Sequence, residues 1–196
     1  ILCIMPQAPE QDSPRSSAER LARLVHRRWA LHVLAEVGAS GGAKLVTLVN
    51  RTGATPAAAR ASAEHLVSMG LLAKPSGMGH PLRPEYMLGP RASPVADAAG
   101  DVVRWIDRRD AADTPLRKWS LPTLWVLHDA PKRFGLLRDG LLTITDRALS
   151  MSLSELGGAN FVDYRSLDSR PPANEYRLAR RARSLAVPLD ALVRAG

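Results

Sequence analysis

The sequence predicts a mainly α, α+β chain built from two like units in tandem, and three observations carry that expectation. The chain matches itself when displaced by 90 places. Each half has apolar stripes at helical spacing followed by strand-like runs. The length of 196 residues accommodates two small domains, each able to bury a core.

The displaced match pairs Arg27-Arg28-Trp29-Ala30-Leu31 with Arg117-Lys118-Trp119-Ser120-Leu121, Thr55 with Thr145, and Glu85-Tyr86 with Glu175-Tyr176. Between Arg27 and Arg104 it needs no gap and gives 18 identities over 78 positions; chance gives roughly six. The expected division is a flexible tail over 1–15, a divergent first unit over 16–106 and a second unit over 107–196. The joint falls in the charged run Asp107-Arg108-Arg109-Asp110 before Pro115.

In the second unit, Leu121, Leu124, Trp125 and Leu127 predict a helix over Trp119–Leu127. Pro131-Lys132-Arg133-Phe134 reads as a break, after which Phe134, Leu136 and Leu137 open a short second helix. Thr145 caps a third, with Asp146 in its first turn and Leu149, Leu153 and Leu156 as its buried stripe. A strand over Asn160–Arg165, a hairpin over Ser166–Asn174, a return strand over Glu175–Leu178 and a helix over Ala182–Val193 follow. In the first unit, the run Gly38-Ala39-Ser40-Gly41-Gly42 reads as a flexible turn. Three helices, a winged two-stranded ribbon and a closing helix make the winged helix-turn-helix plan. The predicted architecture is therefore two tandem winged helix-turn-helix domains forming an intrachain pseudo-dimer. Its seam would be helices Ala18–Arg28, Val95–Ile106 and Arg183–Arg194.

A net charge of +8 and a pI near 10.5 suit a nucleic-acid partner. Lysines number only four among the 27 basic side chains; the arginine excess fits either phosphate and guanine recognition or coding in a GC-rich genome. The single cysteine, Cys3, excludes a disulfide framework and fits a cytoplasmic location. No apolar run approaches the ~20 residues of a membrane helix, and Ile1–Met5 lacks the basic flank and length of a signal peptide. The five histidines have no metal spacing, and neither metal nor cofactor is expected. No nucleophile elbow, phosphate loop or catalytic-cysteine signature is present, so the reading leans away from an enzyme. His128-Asp129 reads as a cap and turn rather than an acid–base pair.

Lys118-Trp119-Ser120-Leu121, Pro131-Lys132-Arg133-Phe134, Leu137-Arg138, Leu149–Leu156, Pro171-Pro172-Ala173-Asn174-Glu175-Tyr176 and Arg183-Ser184-Leu185 together resemble the HxlR-type transcriptional regulators, winged-helix DNA-binding proteins related to the MarR group. The resemblance covers essentially the whole second unit. The first keeps Trp29, the helix spacing, Met69-Gly70-Leu71-Leu72 and Glu85-Tyr86. It implies a regulator that binds double-stranded DNA, with the two units of one chain replacing the usual homodimer, so the protein is expected as a monomeric pseudo-dimer or a weak homodimer. The sensing cysteine that many members carry ahead of the Lys-Trp motif is absent from both units; Ser16-Ser17 and Ile106-Asp107 occupy those regions.

Residues opposite the apolar stripe of a reading helix enter the major groove. The expected DNA contacts of the second unit are Thr145, Arg147, Ser150, Met151 and Ser154, with Arg165 and Arg170 on the wing. In the first unit they are Thr55, Arg60, Lys74 and Arg83. Its alanine-rich helix, opened by Pro56, fits either a weaker reader or a structural relic. Trp29, Trp105, Trp119 and Trp125 are expected near the seam. They would be either core residues or the walls of a site for a small aromatic effector. If the latter, the alternative function is a small-molecule-binding, conceivably catalytic, protein that has lost DNA binding.

Overall fold

The computed structural model describes residues 14–74, 86–108, 114–168 and 172–196. Residues 1–13 of the tail expected over 1–15, Arg83 and Arg170 lie outside the described residues, and the last two tail positions, Pro14 and Arg15, instead open α1. In the first half the elements are α1 (Pro14–Leu24), α2 (Ala30–Ser40), α3 (Leu45–Thr52), α4 (Pro56–Ser68), β1 (Leu72–Ala73), β2 (Met87–Leu88) and α5 (Ser93–Asp107). After a 3-10 turn at Thr114–Leu116 come α6 (Ser120–Val126), β3 (Lys132–Arg133), α7 (Phe134–Gly140), α8 (Asp146–Gly158), β4 (Val162–Leu167) and β5 (Ala173–Leu178). A second 3-10 turn, Arg183–Leu185, leads into α9 (Ala186–Ala195).

Local geometry repeats at the 90-residue spacing. Thr55 and Thr145 both cap the following helix, accepting from the amides of Ala58 (3.3 Å) and Ala148 (3.2 Å). Both helices end in a left-handed residue, Gly70 at φ 72° and Asn160 at φ 57°. These are the two residue types that tolerate that backbone most readily. The next amide then returns to the helix, Leu71 to the Leu66 carbonyl (3.0 Å) and Phe161 to that of Leu156 (2.8 Å). The antiparallel ribbons pair Leu72 with Leu88 and Val162 with Leu178.

The halves also differ. Lys132-Arg133, expected as a break, forms β3 and pairs with β5, giving a three-stranded sheet of order β3-β5-β4; the first half has a single bridge there, Ala43 to Tyr86. Asn160, expected to open a strand, is instead the left-handed helix end, so β4 begins at Val162. β5 begins two residues earlier than expected, extending the pairing toward the hairpin. α2 continues through Gly38 to Ser40, and the turn shrinks to Gly41 and Gly42. Gly38 is needed where α2 meets α5: an added Cβ would lie 2.8 Å from that of Ala96.

The buried cluster runs through both halves without interruption, from Leu31, Leu34, Leu48 and Leu66 to Leu121, Leu137, Leu149 and Leu156. α5 packs on α2 and on α9, while α1 crosses to α6 and α9. Near the C-terminal end of α5, Trp105 reaches into the second half. Its ring centroid is 5.5 Å from that of Phe161, and its indole N–H donates to Ser184 Oγ at 3.0 Å. Among the described residues no helix is long and apolar enough to cross a membrane.

Candidate nucleic-acid interface

The α8 helix separates its faces by the 3.6-residue period. Leu149, Ser152, Leu153 and Leu156 are buried, whereas Asp146, Arg147, Ser150, Met151 and Ser154 are exposed. Met151 keeps 53% of its surface accessible on this face. Arg147 makes no ion pair among the described residues. The helix is tied at both ends: Arg138 Nη1 lies 3.6 Å from Asp146, and Arg117 pairs with Glu155 at 2.9 Å. A capped helix with one rigidly buried face can present the other without reorganisation.

Beside it, the wing is less open than its sequence suggests. Arg165 directs Nε and Nη2 at Glu175 Oε2, at 2.8 and 2.7 Å. Glu175 is also in register with Arg133 of β3, so one carboxylate on the middle strand is flanked by two arginines. In the sequence Arg133 reads only as part of the break before α7 and of the family motif, not as a DNA contact; the unexpected third strand brings it here. Tyr164, 65% exposed, stands 6.2 Å from Tyr176 on the same sheet.

In the first half, Arg60 is exposed on α4. Lys74, expected to meet phosphate, is engaged internally. Its ammonium is 2.5 Å from Glu64 and 5.6 Å from the Tyr86 ring centroid, and the Tyr86 hydroxyl donates to the same carboxylate at 3.2 Å. The hydrogen bond from Lys74 holds the Glu64 carboxyl below its ordinary pKa, and the same bond raises that of Lys74. His65 Nε2 donates to the Arg23 carbonyl at 2.8 Å, anchoring the end of α4 on α1.

The four tryptophans have separate roles. Trp105 packs in the seam, and Trp125 is buried against His128 with ring centroids 5.4 Å apart. Trp29 and Trp119 are half-buried, with Arg28 at 5.3 Å and Lys118 at 4.9 Å from their ring centroids. A cavity of about 200 Å³ in the seam has an aliphatic lining, including Leu21, Leu24, Val95, Leu192 and Val193, and none of the indoles lines it. Trp119 alone borders a second, more polar cavity of about 330 Å³. His128 and Asp129 are held in the turn after α6, His128 Nδ1 by the Trp125 carbonyl at 2.5 Å and Asp129 by Lys132 at 2.5 Å.

Residues 116–196 match the family of HxlR-like helix-turn-helix proteins. Among solved structures, the chain is similar to a protein described as a MarR-family transcriptional regulator from Enterococcus faecalis V583. The identity is 31%, with 45% of this chain and 80% of that one covered at a TM-score of 0.40. Diamide-treated YodB from B. subtilis (24% identity, 43% and 83% covered, TM-score 0.39) and a MarR-family protein of Porphyromonas gingivalis W83 (21%, 44% and 85%, 0.41) are also similar. No curated protein matches the chain.

Proposed function

We propose that the protein is a cytoplasmic DNA-binding transcriptional regulator in which 16–106 and 107–196 are two copies of one winged helix, joined as an intrachain pseudo-dimer. The observation that carries the DNA-reading part is the exposed polar face of α8, with Arg147, Ser150, Met151 and Ser154 projecting from a helix whose other face is fixed in the core. In this reading Arg147 takes guanine or phosphate, Ser150 and Ser154 take base edges or phosphate, and Met151 meets a thymine methyl. The caps Thr55 and Thr145 lie where helix amides meet phosphate. Arg60, Arg83 and Arg170 supply the surrounding charge, and Arg165 and Lys74 add to it where phosphate displaces Glu175 and Glu64 from them. The duplication is supported by the identities at 90-place spacing and by the matching caps, helix ends and ribbon registers at that spacing. A small aromatic effector completes the reading, acting by favouring one spacing of the two reading helices.

Selection from a genomic library, followed by binding measured over a range of salt, tests it. The expected result is an enriched motif bound with about nanomolar affinity that falls steeply as salt rises, with Arg147→Ala relaxing the base preference. No enriched motif, and only weak binding at physiological salt, would overturn it. A second reading, a ligand-binding protein that no longer reads DNA, is favoured by one observation: Lys74 and Arg165, one cation near each wing, are already neutralised by carboxylates. In that case Arg147→Ala leaves every binding property unchanged.

A further inference from the structure

At the 90-place spacing, α4 and α8 are buried in the same pattern, position by position. Ala59, Ser62, Ala63 and Leu66 of α4 answer to Leu149, Ser152, Leu153 and Leu156 of α8, and all eight are buried. Thr55 and Thr145 cap the two helices alike, each accepting from the amide three residues on. The helices are seated in the same way, and what separates them is the chemistry of their outward faces.

Where α8 carries Arg147, Met151 and Ser154, α4 carries Ala57, Ala61 and Glu64. An alanine side chain ends at Cβ, so neither Ala57 nor Ala61 can donate or accept at a base edge. A glutamate can accept from the cytosine amine, but the Glu64 carboxylate is already engaged. Its Oε1 lies 2.5 Å from the Lys74 ammonium and accepts from the Tyr86 hydroxyl at 3.2 Å. Arg60, in the place of Ser150, stays exposed. With alanines beside it and Glu64 tied to Lys74, nothing on this face fixes its guanidinium in the bidentate geometry that reads guanine. A guanidinium so placed is drawn to phosphate by charge alone.

We propose that base recognition is confined to α8, while α4 grips the DNA backbone through Arg60 and the capped helix end at Thr55, so that the chain takes a duplex operator with one specified half-site. The inference rests on the regulator reading and adds the form of its target. Two equal readers would select a repeated motif. The contacts missing from α4 are of the kind that each discriminate by about tenfold or more, so the half-site beneath it is free to vary.

Selection of the whole chain on fully randomised duplexes tests this, followed by hydroxyl-radical footprinting on a selected sequence. The expected motif is one block of specified bases, with protection from cleavage extending about one helical turn to one side of it. Arg60→Ala should weaken binding to every duplex alike and lower the slope of log K against log salt by about one. Ala57→Arg, Arg60→Ser, Ala61→Met and Glu64→Ser together give α4 the outward face of α8. Once thermal unfolding shows that this variant folds, selection with it should recover a second block matching the first. Two specified blocks with the unaltered chain, or a base preference lost with Arg60→Ala, would overturn the proposal and leave the regulator reading standing. Protection limited to the block itself, or a folded four-residue variant that still selects a single block, would do the same. Absence of any motif overturns the regulator reading itself, and this proposal with it.

Discussion

Glu175 shows how one side chain can mask what the composition promises. It lies in register with Arg133 and Arg165 and is bonded to the latter, so the wing offers less free charge than its arginines imply. If this sheet faces DNA, Glu175→Gln should raise affinity for all sequences alike and steepen the slope of log K against log salt by about one ion. Fluorescence anisotropy over a salt series reads this, and an unchanged slope would place the sheet away from the phosphates. Glu64 gives a second residue-scale prediction. Its folded pKa is depressed below the ordinary 4.5, chiefly by the Lys74 hydrogen bond. The carboxylate therefore adds stability that is full above that ordinary value and is lost as pH falls through the lower folded one. Glu64→Gln should lower Tm slightly at pH 7, as for other solvent-screened pairs, and the gap from wild type should close at strongly acid pH. Neither pairing is legible in the sequence, because Glu64 and Lys74 lie on different elements and Arg133 meets Glu175 only through a strand of two residues.

At the scale of the element, the sequence is more informative. Thr55 and Thr145 as caps, and the Leu149, Leu153 and Leu156 stripe, follow from side-chain chemistry and helical period and recur in the structure. The left-handed end after α8 was missed because Asn160 fits a strand-like run as readily as a helix end; only its partner 90 places back, Gly70, carries the signal plainly. This pair makes a prediction. Asn160→Gly keeps the backbone its site requires and should be close to neutral, whereas Gly70→Ala places a Cβ at φ 72° and should destabilise by about 1 kcal/mol or more. No atom lies within 4 Å of an added Cβ at Gly70, so the cost is conformational rather than a clash. Chemical denaturation of the two variants separates the effects. A Gly70→Ala variant as stable as wild type would mean that the turn relaxes out of the left-handed region.

For the whole molecule, the question is whether two similar halves behave as one cooperative body. The 90-place match in the sequence gives no sign of how the two halves interlock, since α1 packs on elements about a hundred residues or more downstream and α5 packs on both α2 and α9. Such contacts leave no local periodicity to read. Trp105 is the side chain that joins them most directly: 6% exposed, packed on Phe161 and hydrogen-bonded to Ser184. Truncating a buried indole costs about 3–5 kcal/mol, here concentrated in the joint rather than in either core. Wild type should therefore unfold in a single calorimetric transition whose van't Hoff and calorimetric enthalpies agree. Trp105→Ala should lower its midpoint and divide it into two. Trp105→Phe keeps most of the packing and loses the Ser184 hydrogen bond, worth about 0.5–1.5 kcal/mol, so it should stay single. Two transitions already in wild type would mean the seam is too weak to couple the halves. Retention of one transition in Trp105→Ala would shift the joint to α1, where the apolar contacts with α6 and α9 would have to carry it.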